Sequence, residues 1–493
     1  MKFSKRILAV LTAGLLVAGG AGRALADDTA SDASAKTSTA TVVDTDSPTA
    51  FTPSDLEIIN NRLNSLEKSS VVLSSEHNYE DISTQKGDFV LKIGGVVQGD
   101  YRSYFEPKTT YDDYLNIGSA TNPEEGAAGA TANKSSSTFL DRKVRLDIVA
   151  LFDQTVGLRY QSEFGSTGYA IQDAYAFLKL DTAFQAQLGK FKVPVGLERL
   201  QSDTDTLFAE RGLSTDLVPN RDLGAQFGGN VAVLGQYAVA LTNGTPDNFT
   251  PNNADDTDLT NGKELSGRIF LTPFQASDFF VKNLGLGIAG SWAWNLNWNA
   301  NAEPNYFVTS LGQQQFFAYR AGVAPQGDFY HVSPQAYFYN GSLGLLGEYV
   351  SSIQNVGTSA AALVNLVNQA WLLEGSWVIG GKAGYQGAVA DNNFDLSKGR
   401  LGALELAFRV HELTIDPKAF GSTAASDVAA TNSARQATAY GFGANWVFDP
   451  HFKLVFDWEE TDFVEGVQVA AVAGTVKTLN PEDVFTIRAQ ANF

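Results

Sequence analysis

The chain has 493 residues, a formal net charge of −19, no cysteine, and 32 Phe, 17 Tyr and 7 Trp. So large an acid excess excludes a nucleic-acid footprint. The aromatics exclude an acidic disordered chain, and stability owes nothing to disulfides. With 46 Gly and a mean hydropathy of −0.11, the composition suits a wall that is apolar on one side and polar on the other.

Lys2, Lys5 and Arg6 precede an apolar run from Ile7 to Ala18, and Ala24-Leu-Ala26 offers small residues for cleavage. Residues 1–26 read as a secretory signal peptide; the run is short for a membrane anchor, the alternative. Removing it takes away four bases and no acid, so −19 becomes −23. Residues 27–52, rich in Ser, Thr, Ala and Asp, read as a flexible linker. Residues 53–88 open with a helix start at Pro53-Ser-Asp and carry Leu56, Ile59, Leu63 and Leu66 at a/d spacing. So short a seam does not hold a coiled coil alone. It predicts either a trimeric coil gathered by a trimeric barrel, or one amphipathic helix lying on the barrel or the membrane.

From Phe89 onward the period is two. Phe89, Leu91, Ile93, Val97 and Tyr101 share one face; Lys92, Gln98, Asp100 and Arg102 share the other. Leu140, Val144, Leu146, Ile148 and Ala150 oppose Asp141, Lys143, Arg145 and Asp147. Val156, Leu158, Tyr160 and Phe164 oppose Gly157, Arg159, Gln161 and Glu163. Further strands are predicted at 171–180, 184–195, 223–234, 236–243, 263–272, 284–298, 329–340, 342–352, 369–380, 399–414, 438–448, 452–461 and 483–493. The total of about sixteen is even, and each strand is about ten residues long, enough to cross a bilayer at a tilt. The fold expected over 89–493 is therefore all-β: a transmembrane, antiparallel, up-and-down barrel.

Asn340-Gly341 and Asp449-Pro450-His451 predict tight turns, against long polar links at 106–138, 244–262, 299–328 and 353–368. A further long link, 381–398, falls where the alternation wants a short turn. Trp292, Trp294, Trp298, Tyr337, Phe338, Tyr339, Trp371, Trp377, Trp446 and Trp458 fall near strand ends, as interfacial girdles would place them. The last strand alternates through Phe485, Ile487, Ala489 and Ala491 to Phe493. This ending resembles the signal read by the outer-membrane barrel assembly machinery.

The stretch from Leu188 to Gly229 organises the rest. Pro194 and Gly196 end a strand, and a loop follows whose charges are Glu198, Arg199, Asp203, Asp205, Glu210, Arg211 and Asp216. Leu197, Leu200, Leu207, Phe208, Leu213 and Leu217 supply apolar anchors, so the loop is expected to fold against something.

Gly189-x-Phe-x-x-Pro-x-Gly-Leu-Glu198, Phe208-x-Glu-Arg211 and Leu217-x-Pro-x-Arg221-x-x-Gly224 resemble motifs of the phosphate-selective porin O and P family. So do Phe89-x-Leu-x-Ile-Gly-Gly-x-x-Gln-x-Asp-Tyr101, Gly402-Ala-Leu-Glu405-Leu-Ala-x-Arg409 and Gly443-Ala-Asn-Trp446-x-x-x-Pro450. The resemblance implies a homotrimeric sixteen-stranded porin of the bacterial outer membrane, its N-terminal segment periplasmic. It also implies a pore for small anions such as phosphate, narrowed by the inward third outer loop, here 197–222.

Alternation turns Lys92, Arg102, Lys143, Arg145, Arg159, Arg268, Arg409 and Arg488 inward, and the loop adds Glu198, Arg199, Glu210, Arg211 and Arg221. Rings of Arg and Lys in a narrow pore favour anions. The competing reading has the same arginines paired with wall carboxylates, in a general-diffusion porin of weak or cation preference, the N-terminal segment serving as a periplasmic or cell-wall tether. Catalysis is not expected. His77, His331, His411 and His451 stand apart from any Gly-x-Ser-x-Gly elbow, and His411-Glu412 lacks the second His of a zinc motif. Neither a metal nor a cofactor is expected.

Overall fold

The computed structural model describes residues 71–76, 79–84, 89–105, 137–165, 169–231, 234–244, 262–277, 280–297, 306–320, 322–358, 362–421, 427–430, 433–466 and 481–493. The chain divides into two units, Met1–Asn61 and Arg62–Phe493, and every described residue lies in the second. The signal peptide, the linker, the seam of Leu56, Ile59, Leu63 and Leu66, and Trp298 lie outside the described residues.

A hairpin, β1 (Val71–Glu76) and β2 (Tyr79–Thr84), leads into β3 (Phe89–Phe105), β4 (Thr138–Phe152), β5 (Val156–Glu163), β6 (Ala170–Asp181) and β7 (Phe184–Lys192). A one-turn helix α1 (Leu197–Leu200) and a 3-10 turn (Leu213–Leu217) follow. Then come β8 (Arg221–Asn230), β9 (Gly235–Thr242), β10 (Lys263–Leu271), β11 (Leu284–Asn297), the ribbon β12 (Tyr306–Val308) and β13 (Gln315–Ala318), β14 (Ala324–Asn340), β15 (Leu343–Gly357) and β16 (Leu363–Ile379). The short pair β17 (Gly381–Lys382) and β18 (Val389–Ala390) precedes β19 (Ala403–Thr414), β20 (Ala434–Asp449), β21 (Phe452–Glu465) and β22 (Glu482–Asn492).

Setting aside β1, β2 and the two ribbons, sixteen strands pair antiparallel with their chain neighbours, and β22 closes on β3 from Asp483↔Phe105 to Asn492↔Val96. Closure gives every strand two partners, the condition for a sheet to cross a bilayer without orphaned backbone groups. Gly95 and Phe493 exchange backbone bonds of 2.9 and 3.1 Å, so the last residue seals the seam. Below it β2 takes over the free edge of β3, pairing Tyr79↔Gly94 to Ser83↔Val90. The rim that holds Phe89 and Phe493 is called the terminal rim here, and the opposite one the far rim.

Period-two alternation builds the wall as expected. Leu188, Phe227, Ile269, Ile288 and Phe442 stand exposed on the outer face, while Gln98, Asp100, Glu374, Arg409 and Arg488 are buried inside. The outer apolar face suits lipid.

Several expectations are corrected. A bulge in β4, where Gln98 pairs Lys143 but Gly99 pairs Asp141, makes Arg142 an extra residue. Beyond it the parity flips, so Asp141 faces out and Leu140 shares the inner face with Asp100. The 353–368 link is mostly wall: β15 and β16 continue to Gly357 and Leu363. The pairing Asn355↔Asn365, with a 2.9 Å amide bond between the side chains, shows why it reads as loop, since it puts polar residues on the outer face there. The 381–398 link is a true long turn at the terminal rim and carries β17 and β18. Tyr337 and Tyr339 alternate inward and leave Phe338 outside, so neither Tyr belongs to a girdle.

In β7, Gly189 has φ +133°, and a Cβ there would sit 2.2 Å from the Ala174 carbonyl. Gly189→Val should therefore cost about 1–3 kcal/mol or more in backbone strain. In unheated electrophoresis, the fraction of fast-migrating folded barrel should fall well below that of the parent chain.

Candidate functional site

Lys192 ends β7, and the chain turns into the barrel rather than over its rim. Leu197 N–H donates to Glu348 Oε1 on β15 at 2.6 Å, and Leu213 N–H donates to His411 Nδ1 on β19 at 2.9 Å. Asn445 Nδ2 on β20 donates to Leu207 O at 2.8 Å, and Ala209 N–H donates to Asp457 Oδ2 on β21 at 2.6 Å. These backbone anchors stretch the loop across the lumen from β7 to the opposite wall.

The Phe208-Ala-Glu-Arg211 motif is the docking element. Phe208 lies under the Arg409 guanidinium, 4.2 Å from ring centroid to Cζ. Gly441 and Gly443 make room for it, since a Cβ on either would come within 3.4 Å of the ring. Arg142 donates to Glu210 from Nε and Nη2 at 2.7 and 3.0 Å, and Arg488 Nη2 donates to it at 2.8 Å. Arg102 approaches Glu210 to 3.7 Å. Arg488 also grips Asp100 with two bonds of 2.7 Å and donates to the Ala209 carbonyl. Such forked, charge-assisted bonds are strong where water is scarce. Arg211 is held by Asp203 and by the carbonyls of Glu198 and Gln201 at 3.2 and 2.8 Å. Asp203 also takes Arg145, and Lys143 at 3.2 Å.

The remaining candidates are equally committed. Arg145 meets Glu163 at 2.5 Å; Arg159 binds both oxygens of Asp147, at 3.2 and 2.7 Å; Arg221, the first residue of β8, binds Asp173 at 2.8 Å. Arg409, with a fully buried side chain, faces Glu459 at 2.5 Å, Glu374 at 3.5 Å and Glu198 at 3.9 Å. Glu198 accepts from Gly212 N–H at 2.9 Å, and Arg199 donates to the Thr215 carbonyl at 2.6 Å. Lys92 sits near the terminal rim, opposite Val149. Of the wall arginines among these candidates, Arg268 has no carboxylate within 4 Å among the described residues; its Nε donates to Gln335 at 2.9 Å.

Sequence reasoning missed three things. Arg142 reads as outward by parity, and only the bulge turns it in. Gln313 and Gln314 follow Gly312, whose carbonyl takes Tyr104 Oη at 2.8 Å and Arg102 at 3.3 Å, so the 306–320 segment also folds inward. Above the loop the lumen is apolar rather than polar. Phe307, Phe316, Phe317 and Phe420 pack with Val350, Leu366, Leu413 and Ile415 into a core inside the far mouth. The inward apolar run Val350, Leu366, Leu413 was the available signal.

Asp216 ties the loop to β12 by accepting from Val308 N–H at 3.2 Å. Burial pushes this loop carboxyl up to about 7, against the opposing pull of Arg199.

The described geometry is that of a membrane-spanning porin-type barrel whose third far-rim connection is folded into its lumen. The family model for phosphate-selective porin O and P matches residues 94–493, so the chain belongs to that family, whose members are outer-membrane channels rather than enzymes. No curated protein matches the chain significantly. Among solved structures it is similar to the outer membrane channel DcaP of Acinetobacter baumannii, at 9% identity over 83% of this chain and 98% of that one, TM-score 0.47. It is also similar to an anion-selective porin from Comamonas acidovorans, at 11% identity over 82% and 100%, TM-score 0.47. OmpT of Vibrio cholerae aligns at 10% identity over 86% and 100%, again with TM-score 0.47.

Three outcomes follow. Glu210→Ala strips Arg142 of its carboxylate and should cost about 3 kcal/mol, with a larger and noisier single-channel conductance. Lys398→Ala, which breaks only an exposed pair with Asp395, should change neither. For Asp216 the raised pKa places its stabilising contribution below the unfolded carboxyl value of about 4, lost as pH rises through about 7. Open-channel noise should therefore grow between about pH 6 and 8, and Asp216→Asn should abolish the growth.

Proposed function

We propose that this barrel passes small hydrophilic solutes by passive diffusion, with the 193–220 segment as its constriction and only weak charge preference. The pairing of the inward bases carries the reading. Arg102, Arg142, Lys143, Arg145, Arg159, Arg211, Arg221, Arg409 and Arg488 each have a carboxylate within 4 Å. Charges so neutralised hold the loop and present little net field to a passing ion. Small-anion selectivity, with phosphate as a solute, is the second reading; Arg268, inward and without a carboxylate, favours it.

A homotrimer, cleavage of residues 1–26, a periplasmic terminal rim and recognition of Phe493 by the assembly machinery complete the proposal. The family resemblance supports the trimer. The long connections at the far rim support the orientation, because outer loops are the long ones in such barrels.

The deciding measurement is the reversal potential of the purified protein in a planar bilayer under a KCl gradient. A potential close to zero, or weakly cation-selective, is expected. A strongly anion-selective potential with chloride current blocked by phosphate would replace this reading with the second.

A further inference from the structure

Arg268 projects inward from β10 and is half-buried. Its guanidinium lies over the Phe270 ring at 4.6 Å, and Nε is engaged by Gln335. Neither Nη has a hydrogen-bond partner among the described residues, which leaves the two-pronged end of the fork unoccupied. An arginine held over an aromatic ring with its Nη pair free is preorganised for one planar oxyanion.

The surroundings narrow the choice further. Phe270 packs on Tyr337 at 4.8 Å, and Tyr337 stacks on Tyr385 at 5.4 Å with 25° between the planes. Tyr385 comes from the long terminal-rim turn, and its hydroxyl donates to the Leu197 carbonyl at 2.7 Å. Gln201 Nε2 donates back to the Tyr385 carbonyl at 2.8 Å. Wall, constriction loop and terminal-rim turn thus meet in one aromatic surface beside the free fork. From Gln335 the bonds lead through Ser333 (3.0 Å) to Glu348 (2.9 Å), an acid and not a second base. A single cation next to an acid suits a monoanion and disfavours phosphate dianion.

We propose that Arg268, Tyr337 and Tyr385 form a solute subsite for monocarboxylates that carry a flat, apolar body, aromatic carboxylates foremost. The carboxylate takes the Nη pair, and the ring lies against the tyrosines. The subsite rests on the reading of the barrel as a diffusion channel and names one class of solute that pauses in it.

The test adds benzoate, acetate or inorganic phosphate to one side of a bilayer holding the purified protein and reads the block of KCl current. Benzoate should block at a concentration about tenfold lower than acetate. Phosphate should block more weakly than benzoate. Arg268→Gln should abolish benzoate block, and Tyr385→Leu should bring benzoate to the level of acetate, both variants keeping the heat-modifiable mobility of a folded barrel. A stronger block by phosphate, or benzoate block unchanged in Arg268→Gln, overturns the proposal. Saturation transfer from the detergent-solubilised protein to benzoate reads binding without conduction. Transfer lost in Arg268→Gln supports the subsite even where no current flows, an outcome that would sink only the channel reading. No transfer in the parent chain overturns the subsite even in a conducting barrel.

Discussion

Charge taken out of water must be met by opposite charge, and the inside of this barrel is built on that constraint. Glu210 is the pivot. Its carboxylate draws in Arg142 and Arg488, Arg488 reaches on to Asp100, and the loop around it is fixed to three consecutive wall strands, β22, β3 and β4. The bulge that turns Arg142 inward and the glycines that admit Phe208 make sense only with the loop in place. Buried ion pairs add little net stability over apolar packing of the same volume, but losing one partner is costly. What the arrangement secures is a single position for a long, charged loop.

The lumen therefore has two regimes. Level with the loop it is an ionic lattice, in which carboxylates and guanidinia alternate. Toward the far mouth it becomes an apolar core, where Phe307, Phe316 and Phe317 meet Val350 and Leu366 as in a soluble domain. The first regime fixes geometry through direction; the second excludes water by packing. Arg268 belongs to neither, which is why it remains open to solute.

Most of the architecture was legible because a barrel wall is a period-two object. Residues such as Ile269 and Ile288 must face lipid, and each strand betrays itself by alternation. Alternation fails where its cause fails. Toward the far mouth the outer face carries Asn355 and Asn365 and the inner face turns apolar, the reverse of the pattern below, so wall reads as loop. A bulge resets parity without a mark in composition, which hid Arg142 and exchanged Leu140 with Asp141. At the site, inward direction was readable for Arg409 and Arg488, but pairing was not. Which carboxylate meets which guanidinium depends on strand register and on the path of a loop with no period at all.

The hairpin below the seam has a mechanical consequence. β1 rises from Val71 and β2 descends to Thr84, so their open end, Val71↔Thr84, lies at the bottom, next to the entry into β3. A load arriving through the chain ahead of Val71 meets one rung at a time, the weakest way to load a ladder. β1 parts from β2 while β2 stays paired with β3, and the six residues of β1 release a slack of about 20 Å. The barrel is thus protected by a compliant leader: tension on the N-terminal side is absorbed as length before it becomes force on the seam that Phe493 closes.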